Sequence, residues 1–78
     1  MRTTVKMPRA GDSDDDIVVV EWYVGVGQEV AAGDPLVRVE TSKVEVDVPS
    51  PVAGRVAEVL AEADADVAVG AALCVLES

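Results

Sequence analysis

The sequence predicts an all-β domain, a small sandwich or barrel built from two similar halves. Three observations carry this expectation: a valine-rich composition, a repeat with a 37-residue offset, and a stretch around residues 36–48 in which apolar and charged residues alternate. With 78 residues the chain forms a single domain, residues 1–78. A domain of this size removes only about 60% of its unfolded surface from water, so its core has to be efficiently filled. Half of the residues are hydrophobic, yet there is no Phe, and Trp22 and Tyr23 are the only aromatic residues. Val supplies 18 residues and Ala 11. Valine is stiff at χ1 and suits a pleated strand, so small β-branched side chains are expected to build the core.

The repeat organises the elements. Residues 17–40 align with residues 54–77, and seven of the 24 pairs are identical, among them Val19/Val56, Gly33/Gly70, Leu36/Leu73 and Glu40/Glu77. Two copies are too few for a solenoid but suit one domain with an approximate two-fold axis. In the first copy an apolar strand at 17–24 leads to a turn at 25–29, a short Val-Ala segment at 30–33 and a second strand at 36–40. The second copy repeats this as strand 55–60, turn 61–66, segment 67–70 and strand 73–77. Strands of this length and spacing indicate a sandwich or barrel. The Ala-rich stretch 61–65 reads as a loop, because its partner in the first copy carries two glycines.

The stretch between the copies is the most specific. Val37-Arg38-Val39-Glu40 and Val44-Glu45-Val46-Asp47-Val48 alternate apolar and charged residues, as two half-buried strands do. Folded into a hairpin with Ser42 and Lys43 as the central turn residues, they place Thr41 opposite Val44, Glu40 opposite Glu45, Val39 opposite Val46, Arg38 opposite Asp47 and Val37 opposite Val48. All four paired valines then share one face and the charges share the other. A slip of one residue would send one strand's valines to water, so the pattern sets the register. The facing glutamates repel, and Arg38, diagonal to Glu45, offsets this. Ser-Lys is not a favoured two-residue turn, for which Asn-Gly or Asp-Gly is expected, so some other demand acts on the tip. Further on, Pro49-Ser50-Pro51 ends the second hairpin strand and crosses to the next sheet, with Gly54 permitting the turn that follows.

Charge and composition exclude several functions. Fifteen Asp and Glu against six Lys and Arg leave a net charge of −9, which offers no electrostatic footprint for nucleic acid or an anionic membrane surface. The apolar runs, residues 17–20 among them, are far too short to cross a bilayer, and no signal-peptide core follows Met1. The expectation is a soluble, cytoplasmic module without a membrane partner. There is no His, the commonest general base and metal ligand, and Cys74 is the only Cys. An intramolecular disulfide, a thiolate metal cluster and a CxxC pair are therefore excluded.

The acidic run around Asp12, Asp14 and Asp16 has calcium-loop spacing, but Ile17 stands where such a loop needs Gly and Tyr23 where it needs Glu. It reads as a solvated loop, and no metal site is expected. Cys74, in an apolar strand, reads as a core residue. Trp22 and Tyr23 read as filling and covering the core. Without His or a second reactive nucleophile, an enzyme in its own right is the least expected reading.

Lys43 differs from an ordinary surface lysine by position. It is one of two lysines, with Lys6, and it stands at the tip of a register-locked hairpin between two related halves. An amine held away from the body of the domain suits covalent modification by another enzyme. It does not suit catalysis, since nothing desolvates it.

Glu40-Thr41-Ser42-Lys43-Val44, followed by Val48-Pro49-Ser50-Pro51-Val52-Ala53-Gly54, resembles the attachment region of lipoyl domains from the acyltransferase (E2) component of 2-oxo acid dehydrogenase complexes. Met7-Pro8-Arg9 through Ser13, Val20-Glu21-Trp22 and Gly33-Asp34-Pro35-Leu36 match the same pattern without a gap. The resemblance implies a flattened β-barrel, or barrel-sandwich hybrid, of two four-stranded antiparallel sheets with pseudo two-fold symmetry. It implies that Lys43 carries lipoic acid in amide linkage, with Ser42, Val44 and Glu40 forming the turn and its recognition by a lipoate ligase or lipoyl transferase. It further implies acyl transfer from the decarboxylase (E1) to coenzyme A at the E2 core and reoxidation by dihydrolipoyl dehydrogenase (E3). Gly11, Asp12, Ser13, Asp14, Asp15 and Asp16 match the family segment that helps E1 recognise its carrier; their acidity bears either on partner choice or on solubility alone. This chain departs from the family in having Ser42 where Asp is usual, and Ile17 and Asp64 where glycines are common, so local turns are expected to differ.

Two rival readings remain. Biotin carrier domains share the hairpin lysine but resemble a pattern with Met on both sides of it, where this chain has Ser42 and Val44. A non-carrier interaction module of the same shape would need no lysine at the turn.

Overall fold

A computed structural model describes residues 1–8 and 17–78. In chain order the strands are β1 (Arg2–Lys6), β2 (Ile17–Trp22), β3 (Glu29–Val30), β4 (Pro35–Glu40), β5 (Glu45–Pro49), β6 (Gly54–Val59), β7 (Asp66–Val67) and β8 (Ala72–Glu77). They form two four-stranded antiparallel sheets, ordered β1-β8-β6-β3 and β5-β4-β2-β7. The flattened all-β architecture implied by the sequence is thus present.

The repeat is reproduced to the level of single hydrogen bonds. A shift of 37 residues carries β2 onto β6, β3 onto β7 and β4 onto β8, as their ranges show. It carries the β2–β4 register, with Val19 opposite Val39 and Trp22 opposite Val37, onto the β6–β8 register, with Val56 opposite Leu76 and Val59 opposite Cys74. Even the irregularity is shared: the ladder skips Val20 in one half and Ala57 in the other. Gly33 N–H donates to Ser50 O at 2.8 Å, and Gly70 N–H donates to Met7 O at the same distance. Both glycines have φ near +90°, where a Cβ would be strained.

Between the sheets lie Val5, Met7, Ile17, Val19, Leu36, Val37, Val39, Val48, Val56, Leu73, Cys74 and Leu76, all buried. Aliphatic residues dominate this layer because, without Phe, area has to come from many short side chains that interlock. Leu36 and Val37 are buried side by side, against strand alternation, because the β4–β5 ladder shifts between Pro35 and Val37.

Several boundaries differ from those read from the sequence. β1 is a full strand that the residue pattern alone did not mark, since Val5 is its only buried residue. The short Val-Ala segments contribute only two-residue strands, Glu29–Val30 and Asp66–Val67. Gly54 is not a turn residue; it opens β6, and a Cβ there would lie 2.9 Å from Glu77 O, so close backbone approach is what requires glycine. Ile17 is a buried strand residue. Asp64 does not alter its turn: it takes up a left-handed φ of 71°.

Candidate functional site

The β4–β5 hairpin has the register set by its valines. Glu40 pairs with Glu45, Val39 with Val46, Arg38 with Asp47 and Val37 with Val48. Val37, Val39 and Val48 are buried and Val46 packs against the core. The charges face outward, where Arg38 bridges to Glu45 diagonally at 3.3 Å and to Asp47 at 4.0 Å. These half-exposed pairs contribute at most about 1 kcal/mol each, so they relieve the Glu40–Glu45 repulsion without setting the register.

At the tip, Ser42, Lys43 and Val44 are exposed. The ion pairs Arg38–Glu45, Arg38–Asp47 and Arg55–Glu29 do not involve Lys43. Neither Ser42 nor Lys43 has a positive φ, so the turn is not of the primed kind that two-residue hairpins favour. Thr41, only 6% exposed, holds it closed. Its N–H donates to Val44 O at 2.8 Å. Its hydroxyl donates to the same carbonyl at 3.3 Å and accepts from the N–H groups of Lys43 at 3.2 Å and Val44 at 3.1 Å.

Tyr23 reaches over the outer face of β4 to β5, donating its phenol to Asp47 Oδ1 at 2.8 Å. That bond, with partial desolvation and the Asp47 charge, raises the phenol above its ordinary pKa of 10.0. Behind it, Trp22 Nε1–H donates to Ala61 O at 2.7 Å, tying the end of β2 to the loop after β6. Trp22 packs against the core as expected, whereas Tyr23 stays 40% exposed and works as a strap across the sheet.

Under the two-fold, Ser78 and Met1 stand where Thr41 and Val44 stand. Ser78 N–H donates to Met1 O at 2.9 Å, as Thr41 N–H does to Val44 O. The chain ends therefore mark the position equivalent to the lysine turn, at the opposite end of the domain.

Cys74 is fully buried, and desolvation pushes its thiol up to about 11. Among the described residues no cluster of His, Cys, Asp or Glu is disposed to hold a metal ion. The structure brings Glu40, Ser42, Lys43 and Val44 together at one tip. Gly11, Asp12, Ser13, Asp14, Asp15 and Asp16 lie outside the described residues. Sequence reasoning missed the Thr41 hydroxyl and the Tyr23–Asp47 bond. A threonine at the start of a turn is a recognisable signal for the first; the second joins residues 24 apart and had none.

The chain belongs to the biotin/lipoyl-attachment family, whose model, described as "Biotin-requiring enzyme", matches residues 3–76. It is 42% identical over 91% of its length to the dihydrolipoyllysine-residue acetyltransferase component of the pyruvate dehydrogenase complex of Corynebacterium glutamicum. Over its whole length it is 41% identical to the succinyltransferase component of the 2-oxoglutarate dehydrogenase complex of Bartonella vinsonii. It is 40% identical over 94% of its length to the lipoamide acyltransferase component of the branched-chain complex of Pseudomonas aeruginosa. The chain spans only 10%, 19% and 17% of these three relatives. A solved single-chain, multi-domain long-chain acyl-CoA carboxylase contains a similar fold, with a TM-score of 0.77 and 26% identity over 95% of this chain and 7% of that one.

Proposed function

We propose that Lys43 is the attachment point of a lipoyl group and that the domain serves as a carrier in a 2-oxo acid dehydrogenase complex. The observation that carries this reading is the hairpin tip: an exposed primary amine on a turn held by a buried hydroxyl and a locked register. These residues fit an amide-linked arm, since the amine is open to a modifying enzyme and the domain beneath it offers no competing chemistry. When bound, the lipoyl dithiolane supplies acyl acceptance and two-electron redox chemistry. The protein's part is to present the arm and be recognised by a lipoate ligase or lipoyl transferase, through Glu40, Ser42 and Val44, and then by E1, the E2 core and E3. Tethering near those active sites raises effective concentration without tight binding at any of them. A cytoplasmic setting belongs to the same reading, as does a share in partner choice for Gly11, Asp12, Ser13, Asp14, Asp15 and Asp16.

The carboxylase likeness favours biotin as a second reading, but at 26% identity against 40–42% for the dehydrogenase relatives it is the weaker one. Intact-mass analysis separates the two. Incubation with lipoate ligase, ATP and lipoate is expected to add one lipoyl unit, lost in Lys43→Ala, with Lys6 unmodified by peptide mapping. A chain that accepts biotin from a biotin ligase and no lipoate, or that is modified at Lys6, overturns the proposal.

A further inference from the structure

We infer that Thr41 is a positioning residue for the modification of Lys43, acting through the turn backbone; this rests on Lys43 being the modified residue. Two-residue hairpins usually place positive φ in the loop, because that twist matches the strands and lets the two flanking residues exchange both backbone hydrogen bonds. Ser42 and Lys43 carry side chains and avoid positive φ. Only half of the exchange is made by the backbone, Thr41 N–H to Val44 O at 2.8 Å. The Val44 N–H goes instead to Thr41 Oγ1 at 3.1 Å, and the Lys43 N–H joins it at 3.2 Å.

Those two N–H groups belong to the peptide units on either side of the Lys43 Cα. Holding both sets the direction in which its Cα–Cβ bond leaves the tip. The hydroxyl is also sheltered: Thr41 is buried while its three successors are exposed, so water competes poorly for these bonds.

The opposite end of the domain supplies an internal comparison. There Met1 and Ser78 meet in the same relationship, Ser78 N–H donating to Met1 O and the terminal ammonium of Met1 donating to Ser78 O, both at 2.9 Å. The Ser78 hydroxyl adds only a long contact of 3.4 Å to Met1 O. Within the Ser42–Lys43 turn, where neither residue takes a positive φ, the hydroxyl therefore stands in for a carbonyl as partner of the Val44 N–H. A modifying enzyme that meets a pre-set lysine avoids selecting one orientation from many.

Two measurements test this on Thr41→Val, which keeps shape without the hydroxyl, Thr41→Ala, Thr41→Ser, which keeps the hydroxyl, and Ser78→Ala. One is amide exchange of Lys43 and Val44 in the unmodified domain; the other is the initial rate of lipoate attachment by lipoate ligase, read by intact mass. Losing the hydroxyl is expected to speed both amides about tenfold and to lower kcat/KM for attachment about tenfold, the effect of one to two net hydrogen bonds. Exchange in β4 and β5 should not change, which separates a local effect from unfolding. Thr41→Ser and Ser78→Ala should match wild type in both measurements. Attachment to Thr41→Val at the wild-type rate, or equal slowing in Thr41→Ser or Ser78→Ala, sinks the positioning role alone. A wild-type chain that takes no lipoate at Lys43 sinks the carrier reading, and the positioning role with it.

Discussion

Asp64 adopts φ +71° at the place in its half of the domain that Gly27, with φ +92°, holds in the other. The two residues make the same bond, Gly27 N–H to Val56 O at 2.8 Å and Asp64 N–H to Val19 O at 2.7 Å. The two halves thus share one backbone conformation here, although only the first has glycine to adopt it. The left-handed region strains an L-residue through its Cβ, although Asp tolerates it better than most.

Asp64→Gly is therefore expected to stabilise the domain. Relief of the Cβ strain outweighs glycine's larger unfolded-state entropy by about 0.5–1 kcal/mol. For a domain of this size that raises Tm by roughly 3–6 °C. Thermal melts followed by circular dichroism check this, and Asp64→Ala, which keeps a Cβ, should show no gain.

The Tyr23–Asp47 bond predicts a measurable titration. The phenol is raised first by the hydrogen bond to Asp47, and the Asp47 charge adds to it. Both favour the protonated form, so Asp47→Asn should move the phenol's midpoint to lower pH. Tyr23 is the sole tyrosine, so the ultraviolet phenolate signal reports on it alone. An unchanged midpoint would show that the strap is open in solution.

Cys74 predicts a loss of stability in alkali. Its thiol is raised from 9.0 to about 11 by burial, so between those values the unfolded chain releases a proton that the folded chain keeps. The unfolded state then binds fewer protons, and stability falls as pH rises through this window. Cys74→Ala should flatten the fall in Tm between pH 9 and 11, although losing the side chain lowers stability at neutral pH. Native protein at pH 8 should resist a thiol reagent that labels it fully in denaturant.

What was legible in advance followed from short-range regularity. Val37, Val39, Val46 and Val48 sit at period two on both arms of one hairpin, and only one register buries them all, so the lysine tip could be placed from the residues alone. β1 left no such trace, because an edge strand with one buried valine satisfies its backbone without an apolar face. Gly54 was seen as special but for the wrong reason: the nearby Glu77 carbonyl that excludes a Cβ comes from the far end of the chain.

The sequence by itself determined the pairing of the halves, the hairpin register and the identity of the presented lysine, because each depends on alternation and repetition along the chain. Only the tertiary structure decided how that lysine is held. The choice between a backbone carbonyl and the Thr41 hydroxyl as partner for Val44 N–H turns on the φ values of Ser42 and Lys43, which their side chains keep out of the left-handed region. The Tyr23 strap and the left-handed Asp64 were likewise decided in three dimensions, where sheet neighbours distant in sequence outweigh local preference.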